Sequence, residues 1–230
     1  MRLEGEADLG TSARSAPGQG LRLGSLGAGL TYRASCAVAS FDGDAFIQSC
    51  IEASTDSEPV SALREAVARA VSDPQALERT YPIPLDADDD GVLYRSPSLF
   101  IANPRFPRGY RTGIHNHLVA AVVGLWGGYE DNYLYRPTSS GVETAGSQRV
   151  HVGEVLVLGP DTIHDVAAPT STWSSALHVY LGDIAALERS YWSHTGAEPA
   201  RYNGAKVAAL WTERASATGL LSAPLGDRPG

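Results

Sequence analysis

Residues 109–128, GYRTGIHNHLVAAVVGLWGG, and 153–164, GEVLVLGPDTIH, decide how this chain folds. The first is an apolar run punctuated by glycine that carries His115 and His117 two residues apart. Side chains alternate across a strand, so the two imidazoles project from one face while Ile114 and Leu118 face the other way. The second reads as a strand, a tight turn at Gly159-Pro160-Asp161 and a new strand opening with His164. There a neighbouring strand completes a three-histidine metal site.

Working outward, apolar runs of strand length recur at 92–94, 98–102, 113–126, 130–135, 150–158 and 173–181. Turn residues separate them, among them Asn103-Pro104, Gly127-Gly128 and Ser139-Ser140-Gly141. The pattern is that of an all-β barrel or jelly roll spanning about 91–183. Ahead of it the period changes to that of helices. Ala45, Phe46, Ile47, Cys50 and Ile51 fit an amphipathic helix over 42–54. Val60, Leu63, Val67, Ala70 and Val71 fit a second, with Ser57 as N-cap, Pro59 in the first turn and Asp73-Pro74 as the stop. These helices are expected to form a lid. A last helix is expected over 184–191. Residues 1–34, rich in Gly, Ser, Ala and Arg, read as a flexible leader, 35–215 as one domain and 216–230 as a loose tail.

The whole chain has 230 residues, 18 basic and 26 acidic, for a net charge of −8. With 43% hydrophobic residues it can bury a full core, and its acidic balance excludes a binder of nucleic-acid phosphates. The apolar run 118–126 is far short of the roughly 20 residues of a membrane helix. Acidic residues stand where a secretory signal has its basic flank, which reads as a cytoplasmic chain. Cys36 and Cys50 form no metal-ligand or disulfide pattern and read as small apolar residues. His151 and His194 read as ordinary polar groups, and the acidic run 86–90 as a solvated turn.

The two histidine segments together resemble the cupin motifs. In the first, Gly109, His115, His117 and Gly128 match, and Ala121 or Val122 stands where a cupin commonly has Glu. In the second, Gly153 and His164 match; Gly159 and Asp161 replace the usual Pro and Gly, and Ala168 replaces Asn. The resemblance covers roughly 93–183 and implies a mainly β fold, the double-stranded β-helix, with helices added at the N-terminus. Loss of the Glu points within the cupins to three-histidine thiol dioxygenases, and residues 115–136 and 176–183 are similar to bacterial cysteine dioxygenase-like proteins.

That resemblance implies Fe(II) held by His115, His117 and His164, with a small carboxylated thiol and O2 as substrates. It implies that His178 and Tyr180 act beside the iron, as in a Ser-x-His-x-Tyr motif whose serine position is Ala176 here. It implies an arginine upstream for the substrate carboxylate, for which Arg95 is the candidate ahead of Arg105 and Arg111, and a homodimer as a common assembly. Three neutral imidazoles leave the charge of an Fe(II) ion uncancelled, so an anionic thiolate is attracted to it. With Ala176 the outer end of the relay is missing, so oxidation beyond the sulfinate, to a sulfonate level or with loss of carboxylate, stays open. Two other classes stay open as well. One is a metal cupin working as an isomerase, lyase or carbon-cleaving dioxygenase; the other is a cupin that binds a small molecule without catalysis.

Overall fold

Strand β5 (Ala121–Gly127) shows why the chain needs a layer on each side of one sheet. Six of its seven residues are buried, and they alternate: Ala121, Val123 and Leu125 pack inside the barrel, while Val122 and Trp126 join the helices outside. The chain is seen here as a computed structural model that describes residues 40–82, 91–168, 173–193 and 199–202. The leader, Cys36, the 86–90 run, His194 and the C-terminal tail lie outside the described residues.

Helices α1 (Gly43–Ser54), α2 (Pro59–Val71) and α3 (Pro74–Thr80) come first. Asp42 caps α1 by accepting from the Ala45 amide at 3.0 Å, and Asp73 caps α3 by accepting from Ala76 at 2.9 Å. Asp73-Pro74 therefore both stops one helix and starts another. The cap position of α2 is Glu58 rather than Ser57, and the Asp56 carboxylate accepts from the Glu58 amide at 2.8 Å just ahead of it.

Two six-stranded antiparallel sheets follow. The first joins β1 (Val92–Arg95), β2 (Phe100–Ala102), β10 (Ser174–Tyr180), β5 and β8 (Val155–Leu158) in that order, with β3 (Arg105–Phe106) also beside β10. The second has the order β12 (Ala200–Arg201), β11 (Ser190–Trp192), β4 (Ile114–Asn116), β9 (Ile163–Ala167), β6 (Tyr129–Thr138), β7 (Gly141–His151). The chain crosses between sheets after β3, β4, β5, β7, β8, β9 and β10. That interleaving is a jelly roll, the double-stranded β-helix implied by the resemblance to cupins.

Helix α2 covers the outer face of the first sheet, where Leu63, Val67 and Val71 meet Val122, Leu177 and Val179, and α1 packs on α2. They form an outer layer there, which replaces the expected lid. The closeness of α2 explains Gly124: a Cβ there would lie 2.3 Å from Val67 Cγ1 and 2.8 Å from Val71 Cγ1. Apolar burial of this kind contributes about 1.5–3 kcal/mol per large side chain.

Three further expectations change. The run 113–126 is two strands in different sheets, parted at Leu118, whose φ of 60° turns the chain out of the strand and leaves its side chain 46% exposed. The run 150–158 likewise breaks at Gly153, with φ 84°. Residues 184–191 form turns and then the start of β11, not a helix. A single isolated pair of helical turns is marginal in water, and the edge of β4 instead takes Tyr191 opposite His115 and Trp192 opposite Ile114. Among the described residues, no helix is long and apolar enough to cross a membrane.

Candidate metal centre

The site is built on the inner face of the second sheet. In the β4–β9 ladder His115 lies directly opposite His164, and paired residues of an antiparallel ladder share a face. His117 follows just past β4 on the same side. Its Nε2 lies 3.1 Å from His115 Nε2 and 3.2 Å from His164 Nε2. All three residues are buried, and their ligand nitrogens lie within 4.8 Å of one another.

Two backbone or side-chain acceptors select the tautomers. His115 Nδ1 donates to the Gly113 carbonyl at 2.7 Å, and His164 Nδ1 donates to Asn132 Oδ1 at 3.1 Å. Each donation leaves the Nε2 lone pair bare and aimed at the others. Burial pushes the His115 imidazole down to about 4, with the Gly113 carbonyl opposing the fall and the Arg189 charge adding to it. Burial also holds His117 well below its ordinary value, with His115 and His164 adding to the fall, and it does the same to His164, with His115 next in effect. Neutral imidazoles are what a metal requires.

A metal ion fits this donor set. Imidazole nitrogens bound to one ion at about 2.0–2.1 Å lie roughly 3 Å apart, close to the spacing here. Three lone pairs facing one another in a dry pocket have no mutual hydrogen bond to make unless one of them carries the proton, and unpaired buried polar atoms are costly.

On the facing sheet, β10 sends Leu177 and Val179 to the helices and His178 and Tyr180 inward. His178 Nδ1 and the Tyr180 hydroxyl lie 2.8 Å apart, and the Tyr180 ring stands edge-on to His117 with centroids 5.1 Å apart. Burial pushes the His178 imidazole down to about 3 and raises the Tyr180 hydroxyl well above its ordinary value. His178 Nε2 is buried with no hydrogen-bond partner, in keeping with Ala176, which carries no hydroxyl.

Arg95 is not brought to the histidines by any contact. Its guanidinium forms a fork on Asp183, at 3.0 Å from Nε and 2.9 Å from one terminal nitrogen, with half of the side chain exposed. Arg111 pairs with Asp165 at 2.7 Å and Arg105 donates to the Tyr81 carbonyl at 2.8 Å.

Three contributors escaped the sequence reading. Asn132 holds His164; Glu130, 1% exposed, accepts from the Ser174 hydroxyl at 2.7 Å, and burial raises its carboxyl to about 7. Their signal was present as two polar residues at alternate positions of β6, where apolar ones would pack a barrel. The third, Arg189, had no such signal, because the stretch around it reads as a helix.

The sequence matches no protein-family model and no curated protein. It is similar in part to solved structures. One is an oxalate oxidase in complex with the substrate analogue glycolate, at 16% identity and TM-score 0.33, over 37% of this chain and 43% of that one. Another is an uncharacterized conserved protein with a double-stranded β-helix domain from Klebsiella pneumoniae, at 10% identity and TM-score 0.37, over 54% and 86%. A third is an RmlC-like cupin family protein from Methanocaldococcus jannaschii, at 15% identity and TM-score 0.36, over 46% and 91%. The match spans less than half of the oxalate oxidase chain. The fold rests on the strand order of the chain itself and takes nothing from these partial overlaps.

Proposed function

We propose that the protein is a non-haem Fe(II) thiol dioxygenase that converts a small carboxylated thiol, such as cysteine or 3-mercaptopropionate, to its sulfinate. The observation that carries this reading is a buried trio of bare Nε2 atoms with no carboxylate among them. Imidazoles suit iron, and an uncancelled ferrous charge attracts a thiolate. Fe(II), held by His115, His117 and His164, would supply the affinity for a thiolate and the redox chemistry that activates O2. The reaction balances as RSH + O2 giving RSO2H: both oxygens end on sulfur, which loses four electrons, and O2 gains them.

The side chains hold, orient and exclude water. Gly113 and Asn132 keep His115 and His164 in the ligating tautomer. His178 Nδ1 and the Tyr180 hydroxyl are hydrogen-bonded across 2.8 Å. When His178 Nδ1 donates to the Tyr180 oxygen, the phenolic proton is left to point toward the histidine face, where it can bond a polar atom of the substrates. The rise in the Tyr180 value keeps that proton in place at neutral pH.

The test is oxygen uptake by anaerobically Fe(II)-loaded protein against a panel of thiols, with mass analysis of the product. Uptake that needs one thiol, and a product heavier by two oxygens, supports the reading; a heavier or decarboxylated product revises the outcome at sulfur. Absence of uptake from iron-loaded protein with every thiol sinks it, in favour of a metal cupin acting on a carbonyl or enol.

A further inference from the structure

Strand β10 takes part in two polar pairs on its inner face, one at each end. At its start the Ser174 hydroxyl donates to Glu130 Oε1 at 2.7 Å; at its close His178 Nδ1 and the Tyr180 hydroxyl lie 2.8 Å apart. Ala176 stands between them, and alternation along the strand puts Ser174, Ala176, His178 and Tyr180 on one face. Each pair has an unmet need. His178 Nε2 is buried with no hydrogen-bond partner among the described residues, and with Nδ1 turned to Tyr180 it points away from that hydroxyl. Glu130, 1% exposed, has one carboxyl oxygen on Ser174 and no ion pair among the described residues. Burial raises its carboxyl to about 7, and the Ser174 bond opposes the rise.

The groups that face Glu130 are few. Val150 pairs with it on β7, and Asn132, two residues along its own strand, holds His164 of β9. Ser174, His178 and Tyr180 face it from β10. Phe106 of β3 stands edge-on to His178 and stacks on Tyr110. The inner residues of β5 and β8, Val123, Leu125 and Leu156, are apolar. Asp131, Arg149 and His151 lie on the opposite face of the β6–β7 hairpin, where Arg149 closes on Asp131. Tyr180 is raised by burial above all, and Arg189, Tyr202 and then Glu130 also act on it, so the charge of the carboxyl reaches the tyrosine.

We propose that Glu130 is a positioning residue for the Tyr180 proton: through water over Ala176, its protonation state sets which nitrogen of His178 carries hydrogen. The use of that proton in catalysis rests on the thiol dioxygenase reading above; the proton arrangement itself does not. Such a water has the Ser174 hydroxyl, the Glu130 carboxyl and His178 Nε2 as partners, within the roughly two to four that a buried water takes. With Glu130 protonated, its acid proton is donated through the water to Nε2. His178 Nδ1 then donates to the Tyr180 oxygen, and the phenolic proton turns toward the histidine face. With Glu130 ionised, one proton has left to solvent and Nε2 donates through the water to the carboxylate. Nδ1 then accepts from the Tyr180 hydroxyl, which withdraws the phenolic proton from the histidine face. His178 and Tyr180 keep one proton each in both states.

The test is NMR of the full-length, metal-free protein with nitrogen-labelled histidine, which tells the two tautomers of His178 apart by the shifts of its ring nitrogens; His178→Gln assigns the signals. Burial holds the His178 imidazole down to about 3, so the ring stays neutral through the titration. Wild type is expected to pass from the Nδ1–H to the Nε2–H tautomer with a midpoint near 7. Glu130→Gln, which has no acid to ionise, is expected to hold one tautomer throughout. Ser174→Ala removes the bond that opposes the rise and is expected to move the midpoint to higher pH. A wild-type tautomer that ignores pH, a Glu130→Gln variant that switches as wild type does, or a Ser174→Ala midpoint that stays or falls overturns the proposal. Should Glu130→Gln fail to fold, the wild-type titration and the Ser174→Ala midpoint decide. The measurement needs neither iron nor thiol, so a switch in protein that oxidises no thiol keeps the role of Glu130 and ends the thiol reading.

Discussion

His164 and Asp165 are neighbours on β9, 3% and 0% exposed, and they face opposite sides of the same sheet. On the outer side, Asp165 is paired: Arg111 reaches it at 2.7 Å and the Tyr135 hydroxyl donates to it at 3.2 Å. On the inner side, His164 meets two further imidazoles whose lone pairs point at its own. Burying a polar group is costly unless it is bonded. A fold that needs only stability answers that cost with a partner, as it does at Asp165. On the inner side Asn132 takes only the Nδ1 proton of His164, and its Nε2 faces other imidazole nitrogens, an arrangement that could hold a metal ion.

The largest effect that sharpens this contrast is on stability. Asp165→Ala strands the Arg111 charge and is expected to cost about 3 kcal/mol, the low end for a buried pair because Arg111 also reaches solvent. His164→Ala in metal-free protein removes a group with unmet lone pairs and is expected to stay within about 1 kcal/mol of wild type. Denaturant unfolding of both metal-free variants measures this, and the reverse order would break the contrast.

Next comes metal affinity. Asn132→Ala frees the His164 ring to turn and is expected to weaken metal binding about 10- to 100-fold in chelator competition. Tyr135→Phe, on the outer side, is expected to leave that affinity unchanged while costing about 1 kcal/mol of stability.

A further effect is in the pH dependence of the metal-free protein. Unfolded histidines take up protons near 6.5, whereas folded His115 does so only near 4 and His117 and His164 lie well below their ordinary value. The unfolded state then binds more protons, so stability falls as pH drops from about 6.5 toward 4. Glu130 acts the other way. Its folded carboxyl keeps the proton up to about 7 against an ordinary 4.5, so its share of stability is lost as pH rises through that window. Glu130→Gln is expected to remove the second slope and leave the first, as read from unfolding midpoints at successive pH values.

Much of this was legible in the chain. The His-x-His spacing and the Gly153–His164 turn indicated which strands bring the three histidines together, because alternation on a strand puts such residues on one face. Helix α2 was legible from its apolar period and its proline. The polar, exposed strand β7 was not, since its place is set by a ten-residue ladder with β6 rather than by its own pattern. The pairing of Arg95 was hidden for a related reason: Asp183, 88 residues away in sequence, takes its fork, and no local pattern announces such a pair. Arg189 was hidden in a stretch with helical spacing that instead forms turns and leads into β11 at the edge of β4.

The most direct test of the central claim is iron content after Fe(II) loading and desalting, in wild type and in His164→Ala. One ion per wild-type chain, and almost none in the variant, is the expected result. Wild-type protein that holds no iron, or a variant that holds as much as wild type, would contradict it.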